Sequence, residues 1–323
     1  MKRMRIVFMG TPAFACASLR VLLKAHEVVA VFTQPDRPAG RGKKLQFSPV
    51  KEMAQEAGIP VFQPQRLFLK KDDPQRDEIK KIRSQLASLS ADIFVVAAYG
   101  LLLPKAVLEM PRIACINVHA SLLPRYRGAS PIHAALLNGD ATTGITIMHM
   151  AEGLDTGDMI LKKELAIAPN EHFPALHDRM ATLGGAALLE ALELLATGAA
   201  TRTPQDNLLA CYAPIIKKTD GLIDWTLSTN VILNKIRALD PWPTAYTLYD
   251  ESPLKIWRGE VVTISATEET TTAGTVLSAD NHGLCVRTGD GALLATELQA
   301  ANGKRMPAGD YLRGREVAVG ASL

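Results

Sequence analysis

Asn117-Val118-His119 closes the apolar run that begins at Ile113. Such a run reads as a strand, and alternation along a strand places Asn117 and His119 on one face with Val118 opposite. An Asn carboxamide can donate a hydrogen bond to a carbonyl oxygen that gains charge. An imidazole can exchange a proton near neutral pH. A third candidate, Asp155, lies in Gly153-Leu154-Asp155-Thr156-Gly157-Asp158. Its flanking glycines allow a tightly shaped loop. A carboxylate there could orient or recharge His119, as the acid member of a triad does. Taken singly, a structural His and a turn-forming Asp fit these positions equally well. Together, and without a G-x-S-x-G elbow, they argue against acyl-enzyme hydrolysis and suit direct attack of one substrate on another.

Other chemistries lack their motifs. Gly10-Thr11-Pro12 follows the first strand but is not G-x-G-x-x-G, so no nicotinamide cofactor is implied. Cys16, Cys115, Cys211 and Cys285 are far apart and form no CxxC, and the seven histidines form no HExxH. No metal is expected, and reduced cytosolic thiols are the default. The apolar N-terminal run breaks at Gly10, which reads as a first strand rather than a signal peptide. No apolar run approaches the ~20 residues that span a bilayer, so a cytoplasmic protein without a membrane segment is expected.

The elements that must position these residues alternate. Strands are expected over 5–9, 27–32, 59–62, 92–98, 113–118 and 144–150. Helices are expected from the turn at Gly10-Thr11-Pro12 onward to about Lys24, from Pro49 to Gly58 with Ser48 as N-cap, and over 74–90, 131–137 and 174–197. This alternation gives an α/β fold with a Rossmann-like, mainly parallel sheet and helices on both faces. Ligands then bind beyond the carboxyl ends of strands, after Met9, Ala98, Val118 and Met150. After Gly198 the pattern changes. Residues 201–216 read as a linker between a domain at 1–200 and a domain at 217–323. The second domain has one helix near 230–238 and short strands at 245–249, 255–257, 275–278, 284–287 and 292–296, a spacing that fits a small OB-like β-barrel.

Net charge is +3 but uneven. Residues 1–50 carry nine Lys/Arg against two Asp/Glu, a balance of +7, whereas residues 215–323 carry eleven against thirteen, a balance of −2. A solvated surface accounts for this as simply as an anionic partner does.

Asn117-x-His119, Ser121-Leu122-Leu123-Pro124 and Gly153-Leu154-Asp155-Thr156-Gly157 resemble the folate-dependent formyltransferase family. Gln34-Pro35-Asp36-Arg37-Pro38-Ala39-Gly40-Arg41-Gly42-Lys43-Lys44-Leu45 resembles the basic loop of its tRNA-formylating branch. Ala98-Tyr99-Gly100-Leu101-Leu102-Leu103-Pro104-Lys105, Ile223-Asp224-Trp225 and Asp240-Pro241-Trp242-Pro243 extend the resemblance to essentially the whole chain. His149, Ala151 and Glu152 depart from the family pattern beside the motif. The resemblance implies 10-formyltetrahydrofolate as formyl donor and methionyl initiator tRNA as acceptor, with Asn117, protonated His119 and Asp155 as catalytic residues. It implies that Ala98, Tyr99, Gly100, Leu101, Ser121, Leu122, Leu123 and Pro124 line the folate site. Arg37, Arg41, Lys43 and Lys44, with Lys217 and Lys218 at the entrance of the second domain, would meet tRNA. Nothing demands more than a monomer. The catalytic motif alone also permits transfer to a small amine or release of formate, and a non-catalytic RNA-binding protein could use the same scaffold.

Overall fold

A computed structural model of the chain describes residues 3–39, 44–70 and 72–323. Arg41 and Lys43 lie outside the described residues. The chain divides into two compact units, one comprising Met1–Pro131, Thr143–Ala166 and His177–Ala213, the other Ile132–Thr142, Ile167–Leu176 and Pro214–Leu323.

Through the first unit the chain runs β1 (Arg5–Gly10), α1 (Ala13–Ala25), β2 (Glu27–Phe32), β3 (Arg37–Ala39), β4 (Lys44–Gln46), α2 (Pro49–Glu56), β5 (Val61–Phe62), α3 (Arg76–Ser88), β6 (Ile93–Ala97), α4 (Lys105–Leu108), β7 (Ala114–His119) and β8 (Arg127–Gly128). Then follow β9 (Thr142–His149), β10 (Met159–Ala166) and β11 (Tyr212–Ala213), with α5 (Pro131–Leu137) before β9 falling in the second unit from Ile132 and α6 (Phe173–Thr197) after β10 passing from the second unit to the first at His177. The main sheet has the order β10-β9-β7-β6-β1-β2-β5. From β5 to β7 its strands are parallel, and β9 joins β7 antiparallel.

A parallel sheet covered on both faces needs strands that are apolar at every position. β1 meets this: Ile6, Val7, Phe8 and Met9 are all fully buried. On one face Val7, Met9, Phe32, Phe94 and Val96 pack with Leu86 of α3 and Val107 of α4. On the other face α6 crosses β7. A Cβ on Gly184 would stand 3.1 Å from Val118 and one on Gly185 3.3 Å from the Ala17 carbonyl of α1, so two small residues set how closely α6 approaches. Ser48 caps α2 by accepting from the Lys51 amide at 3.1 Å, with Pro49 in the first turn.

Three local features differ from the sequence expectation. β10 was not anticipated: beyond Met159 and Ile160 its residues alternate between half-buried and exposed, and Lys162, Lys163 and Glu164 hide its apolar side. Arg37–Ala39 and Lys44–Gln46, expected as loop, pair antiparallel. Residues 201–213 are not a bare linker. Thr203 exchanges backbone hydrogen bonds with Met159 at 2.9 and 3.0 Å, Asp206 caps a turn at Asn207–Leu209, and β11 pairs in parallel with β8. Among the described residues α6, expected over 174–197, is the one helix long and apolar enough to cross a membrane. Here Leu176, Met180, Ala187, Leu188, Ala191 and Leu192 are buried in the protein.

The second unit contains α7 (Thr229–Ala238), β12 (Ala245–Tyr249), β13 (Ser252–Val262), α8 (Ala266–Glu269), β14 (Val276–Ala279), β15 (Leu284–Arg287), β16 (Ala292–Ala300), β17 (Met306–Pro307) and α9 (Ala308–Gly314). Its antiparallel sheet has the order β12-β13-β16-β15-β14, with β17 also paired to β16. Register shifts around Arg258 bulge β13 against β16, and such bulges bend a strand. Ile232, Ile236, Leu254, Ile256, Val286, Leu293 and Leu298 form the core beneath. At one side the Asp240 carboxylate accepts from Arg258 at 2.8 Å and faces His172 Nδ1 at 3.1 Å. Burial pushes the His172 imidazole down to about 4, and Arg258 adds to the effect against the opposing pull of Asp240.

Candidate active site

β7 ends at the residues of interest. Asn117 pairs with Met148 of β9 and His119 with Thr146. Both side chains are nearly buried, Asn117 being 8% and His119 5% exposed. Among the described residues the Asn117 carboxamide has no hydrogen-bond partner, so its N–H groups remain available to a ligand. His119 is held firmly. Its Nε2 lies 2.9 Å from the Tyr126 carbonyl. A carbonyl oxygen only accepts, so Nε2 carries the hydrogen and Nδ1 is left for exchange.

Nδ1 faces Asp155 Oδ2 at 3.7 Å, close enough for charge interaction and longer than a hydrogen bond. The same Oδ2 accepts the Gly128 backbone N–H at 2.8 Å. Asp155 itself adopts φ +52, a left-handed conformation that Asp tolerates better than most residues. The flanking glycines allow the tightly shaped loop expected of them. A Cβ on Gly157 would stand 1.9 Å from the His149 carbonyl oxygen, and one on Gly153 would stand 2.4 Å from Thr156 Oγ1. They permit close approach, and the strained φ falls on the acid.

Sequence reasoning missed the group that anchors this loop. Gln205 Nε2 donates to the carbonyls of Asp155 and Gly157, both at 2.8 Å. Its Oε1 accepts from Arg127 Nε at 3.0 Å and Nη2 at 2.8 Å. Arg127 is 3% exposed and also donates to Asn207 Oδ1 at 2.9 Å. A lone glutamine in a polar segment carries no local signal. Arg127 and Gly128 follow the Ser121–Pro124 motif after Arg125 and Tyr126 and could have been singled out.

The loop after His119 is braced by Thr146, whose Oγ1 donates to the Ser121 carbonyl at 2.7 Å and accepts from the Leu123 amide at 3.1 Å. Ser121 is fully buried with its hydroxyl on the Arg125 carbonyl, and Leu123 packs with Met148 and Met159. Leu122 and Pro124 are half-buried. At the end of β6, Ala98 (φ +45) and Gly100 (φ +76) turn the chain and are exposed. Tyr99 between them points inward, and burial pushes its phenol up. Its carbonyl accepts from Thr11 Oγ1 at 3.1 Å and Gln34 Nε2 at 3.0 Å, which ties this turn to the base of the basic loop. Among the described residues the backbone N–H and C=O groups of Gly100, Leu101 and Leu102 have no partner, which suits a planar heterocycle with a polar edge.

Arg37 is exposed and donates to Gln34 Oε1 at 2.9 Å. Lys44 begins β4, and Lys217 and Lys218 are exposed at the start of the second unit's main segment. A pocket of about 450 Å³ lined by Lys105, Glu109, Cys115, His149, Glu152 and Arg202 lies at the amino end of β7, and Asn117, His119 and Asp155 do not line it. Burial, with Arg202 nearby, holds His149 below the usual imidazole range against the pull of Asp158. Among the described residues no group of three or more His, Cys, Asp or Glu could hold a metal ion.

Residues 4–192 match the formyl transferase family model, and residues 215–316 match the model for the formyl transferase C-terminal domain. A protein of Citrifermentans bemidjiense named methionyl-tRNA formyltransferase is 47% identical over 100% of this chain and 97% of its own length. One of Geobacter sulfurreducens with the same name is 46% identical over 100% and 98%. Among solved structures, an N-formyltransferase from Helicobacter canadensis in complex with folinic acid and dTDP-3-aminofucose superposes with a TM-score of 0.64 at 17% identity, covering 93% of this chain and 100% of that one. HypX from Aquifex aeolicus, solved with tetrahydrofolic acid, gives 0.60 at 17% identity over 96% and 47%. The two structures share its fold, and the sequence matches over both parts place the assignment beyond fold alone: the chain belongs to the formyl transferase family.

Proposed function

We infer that the chain transfers the formyl group of 10-formyltetrahydrofolate to the α-amino group of methionyl initiator tRNA, producing formylmethionyl-tRNA for translation initiation. The observation that carries this reading is the 46–47% identity, end to end, with bacterial proteins named methionyl-tRNA formyltransferase. Small-amine transfer uses the same chemistry, but it leaves the basic segment around Arg37 and Lys44 without a partner. On this reading the enzyme works as a cytoplasmic monomer.

The reaction joins a neutral amine to a formyl carbon. A tetrahedral intermediate forms, its oxygen gains negative charge and its new nitrogen positive charge. Asn117 has the unpaired carboxamide that this oxygen needs. Such a donor supplies about 2.7–4 kcal/mol of barrier reduction. His119, fixed through Nε2 to the Tyr126 carbonyl, takes the ammonium proton at Nδ1 and returns it to the departing folate nitrogen. While it holds that proton, the imidazolium adds positive charge beside the same oxygen, and Asp155 at 3.7 Å stabilises it. The amine–carbon bond forms, the carbon–folate nitrogen bond breaks, and one proton passes between the two nitrogens.

For the donor, the unpaired backbone of Gly100, Leu101 and Leu102 meets the pterin edge, with Ala98 and Tyr99 forming the turn and Ser121 to Pro124 the opposite wall. For the acceptor, Arg37, Arg41, Lys43, Lys44, Lys217 and Lys218 provide cationic contacts to phosphates and to the acceptor stem. Transfer of labelled formyl from 10-formyltetrahydrofolate tests the reading, with methionyl initiator tRNA set against methionyl elongator tRNA. Strong preference for the initiator is expected. Folate consumption without labelled tRNA would overturn it in favour of a small amine or water as acceptor.

A further inference from the structure

Gln34 bridges the turn after β6 and the basic segment. Its Nε2 donates to the Tyr99 carbonyl at 3.0 Å, and its Oε1 accepts from Arg37 Nη2 at 2.9 Å. The approach is close: a Cβ on Gly100 would stand 2.2 Å from Gln34 Nε2. The foot of the β3–β4 pair has anchors of its own. Lys51 is 8% exposed, donates to Asp36 Oδ2 and stands over the Phe47 ring at 3.9 Å, so it clasps the chain on both sides of the pair. Gln63 Nε2 donates to the Gln34 carbonyl at 3.0 Å and to Asp36 Oδ1 at 2.8 Å. These contacts hold the segment without the Gln34 side chain, whose added effect is the link from Tyr99 to Arg37.

The Tyr99 carbonyl and the Gly100 N–H belong to one peptide group, which is planar. Among the described residues that N–H has no partner, while the carbonyl takes Gln34 and, at 3.1 Å, Thr11 Oγ1. An acceptor atom seated on the N–H fixes the plane and with it the direction of the carbonyl. It also polarises the group, because hydrogen bonds in a chain strengthen one another. The carbonyl then holds Gln34 more firmly, and Gln34 holds Arg37. We propose that Gln34 is a positioning residue that couples the two substrates: a donor seated on the Gly100 N–H settles Gln34 and Arg37 for the acceptor, so that folate tightens tRNA binding. This rests on folate occupying that turn and on tRNA meeting Arg37. Such coupling is reciprocal, so tRNA tightens folate by the same factor. The link is no stronger than the neutral Gln34–Tyr99 hydrogen bond, which corresponds to a factor of roughly 2 to 13.

The test uses wild type, Gln34→Ala and Gln34→Glu. It measures the Kd of methionyl initiator tRNA with and without saturating tetrahydrofolate, which has no formyl group to transfer, and the Kd of tetrahydrofolate with and without that tRNA. Gln34→Glu keeps an acceptor for Arg37 and loses the donor to Tyr99. In wild type each ligand should lower the Kd of the other by about twofold or more. In both variants that ratio should fall to about half the wild-type value or less. A Gln34 that merely supported the fold would shift the separate Kd values and leave their ratio alone. A ratio in either variant above about half of wild type would overturn the proposal. Wild-type protein that formylates methionyl initiator tRNA with a ratio below about twofold would overturn it too and leave the parent reading standing. Wild-type protein that formylates no methionyl-tRNA would overturn both.

Discussion

Replacing Gln205 isolates the contribution of loop geometry from that of the reacting groups. In Gln205→Ala the carbonyls of Asp155 and Gly157 lose their 2.8 Å donor, and Arg127 loses two of its three contacts to side-chain oxygens. A neutral hydrogen bond contributes about 0.5–1.5 kcal/mol net and one to a charged group about 1.5–3. Arg127 retains Asn207 and the carbonyls retain access to water, so the net loss is about 2–4 kcal/mol in the first unit. That lowers the Tm of this unit by roughly 5–15 °C. Freed from its anchor, the Asp155 carboxylate moves relative to His119 Nδ1, and a displacement of about 1 Å can cost 100-fold in rate. Steady-state formyl transfer should therefore show kcat reduced roughly 10- to 100-fold while folate Kd, measured by titration, is unchanged. Gln205→Glu separates the two effects. It keeps an acceptor for Arg127 but cannot donate to the carbonyls, so it should retain most of the stability and lose the rate. Gln205→Glu with wild-type kcat, or Gln205→Ala with kcat within about threefold and an unchanged Tm, would refute the reasoning.

Gly157→Ala forces a Cβ to within 1.9 Å of the His149 carbonyl, so the loop must move; a lower Tm by differential scanning fluorimetry and a lower kcat are expected together, whereas Gly198→Ala, with open space at its Cβ position but φ +71, should leave kcat alone. The second unit should lose stability in mild acid. His172 is depressed from 6.5 to about 4, so as pH falls through this window the unfolded chain binds a proton that the folded chain refuses, and stability present above 6.5 is lost towards 4. His172→Gln should flatten that loss in thermal melts between about pH 7 and pH 5, and a slope equal to wild type would show that other groups govern it.

Much of this fold was legible because local and tertiary requirements agree. The apolar runs 28–32 and 93–97 admit one reading, and Ser48-Pro49 states a helix start that Lys51 completes. β10 was hidden because Lys162 and Glu164 occupy its exposed face and Lys163 interrupts the half-buried face between Leu161 and Leu165. β13 and β16 extend past their apolar cores through Arg258, Gly259 and Glu297, residues that lower strand propensity. The candidate site was legible as residue types at strand ends. Its support was not, since Gln205 meets Asp155 across some fifty residues of sequence and nothing local to either announces the other. The same holds for Tyr126, whose backbone carbonyl, not its side chain, orients His119.

The account turns on Asn117 stabilising charge that exists only during transfer. Single-turnover formylation of methionyl initiator tRNA by Asn117→Ala, with folate and tRNA Kd measured on the same protein, addresses this directly. A transfer rate lowered roughly 100- to 1000-fold with both Kd values within about threefold of wild type is the expected result. A near-normal rate, or a loss traced entirely to weaker binding of either substrate, would contradict it.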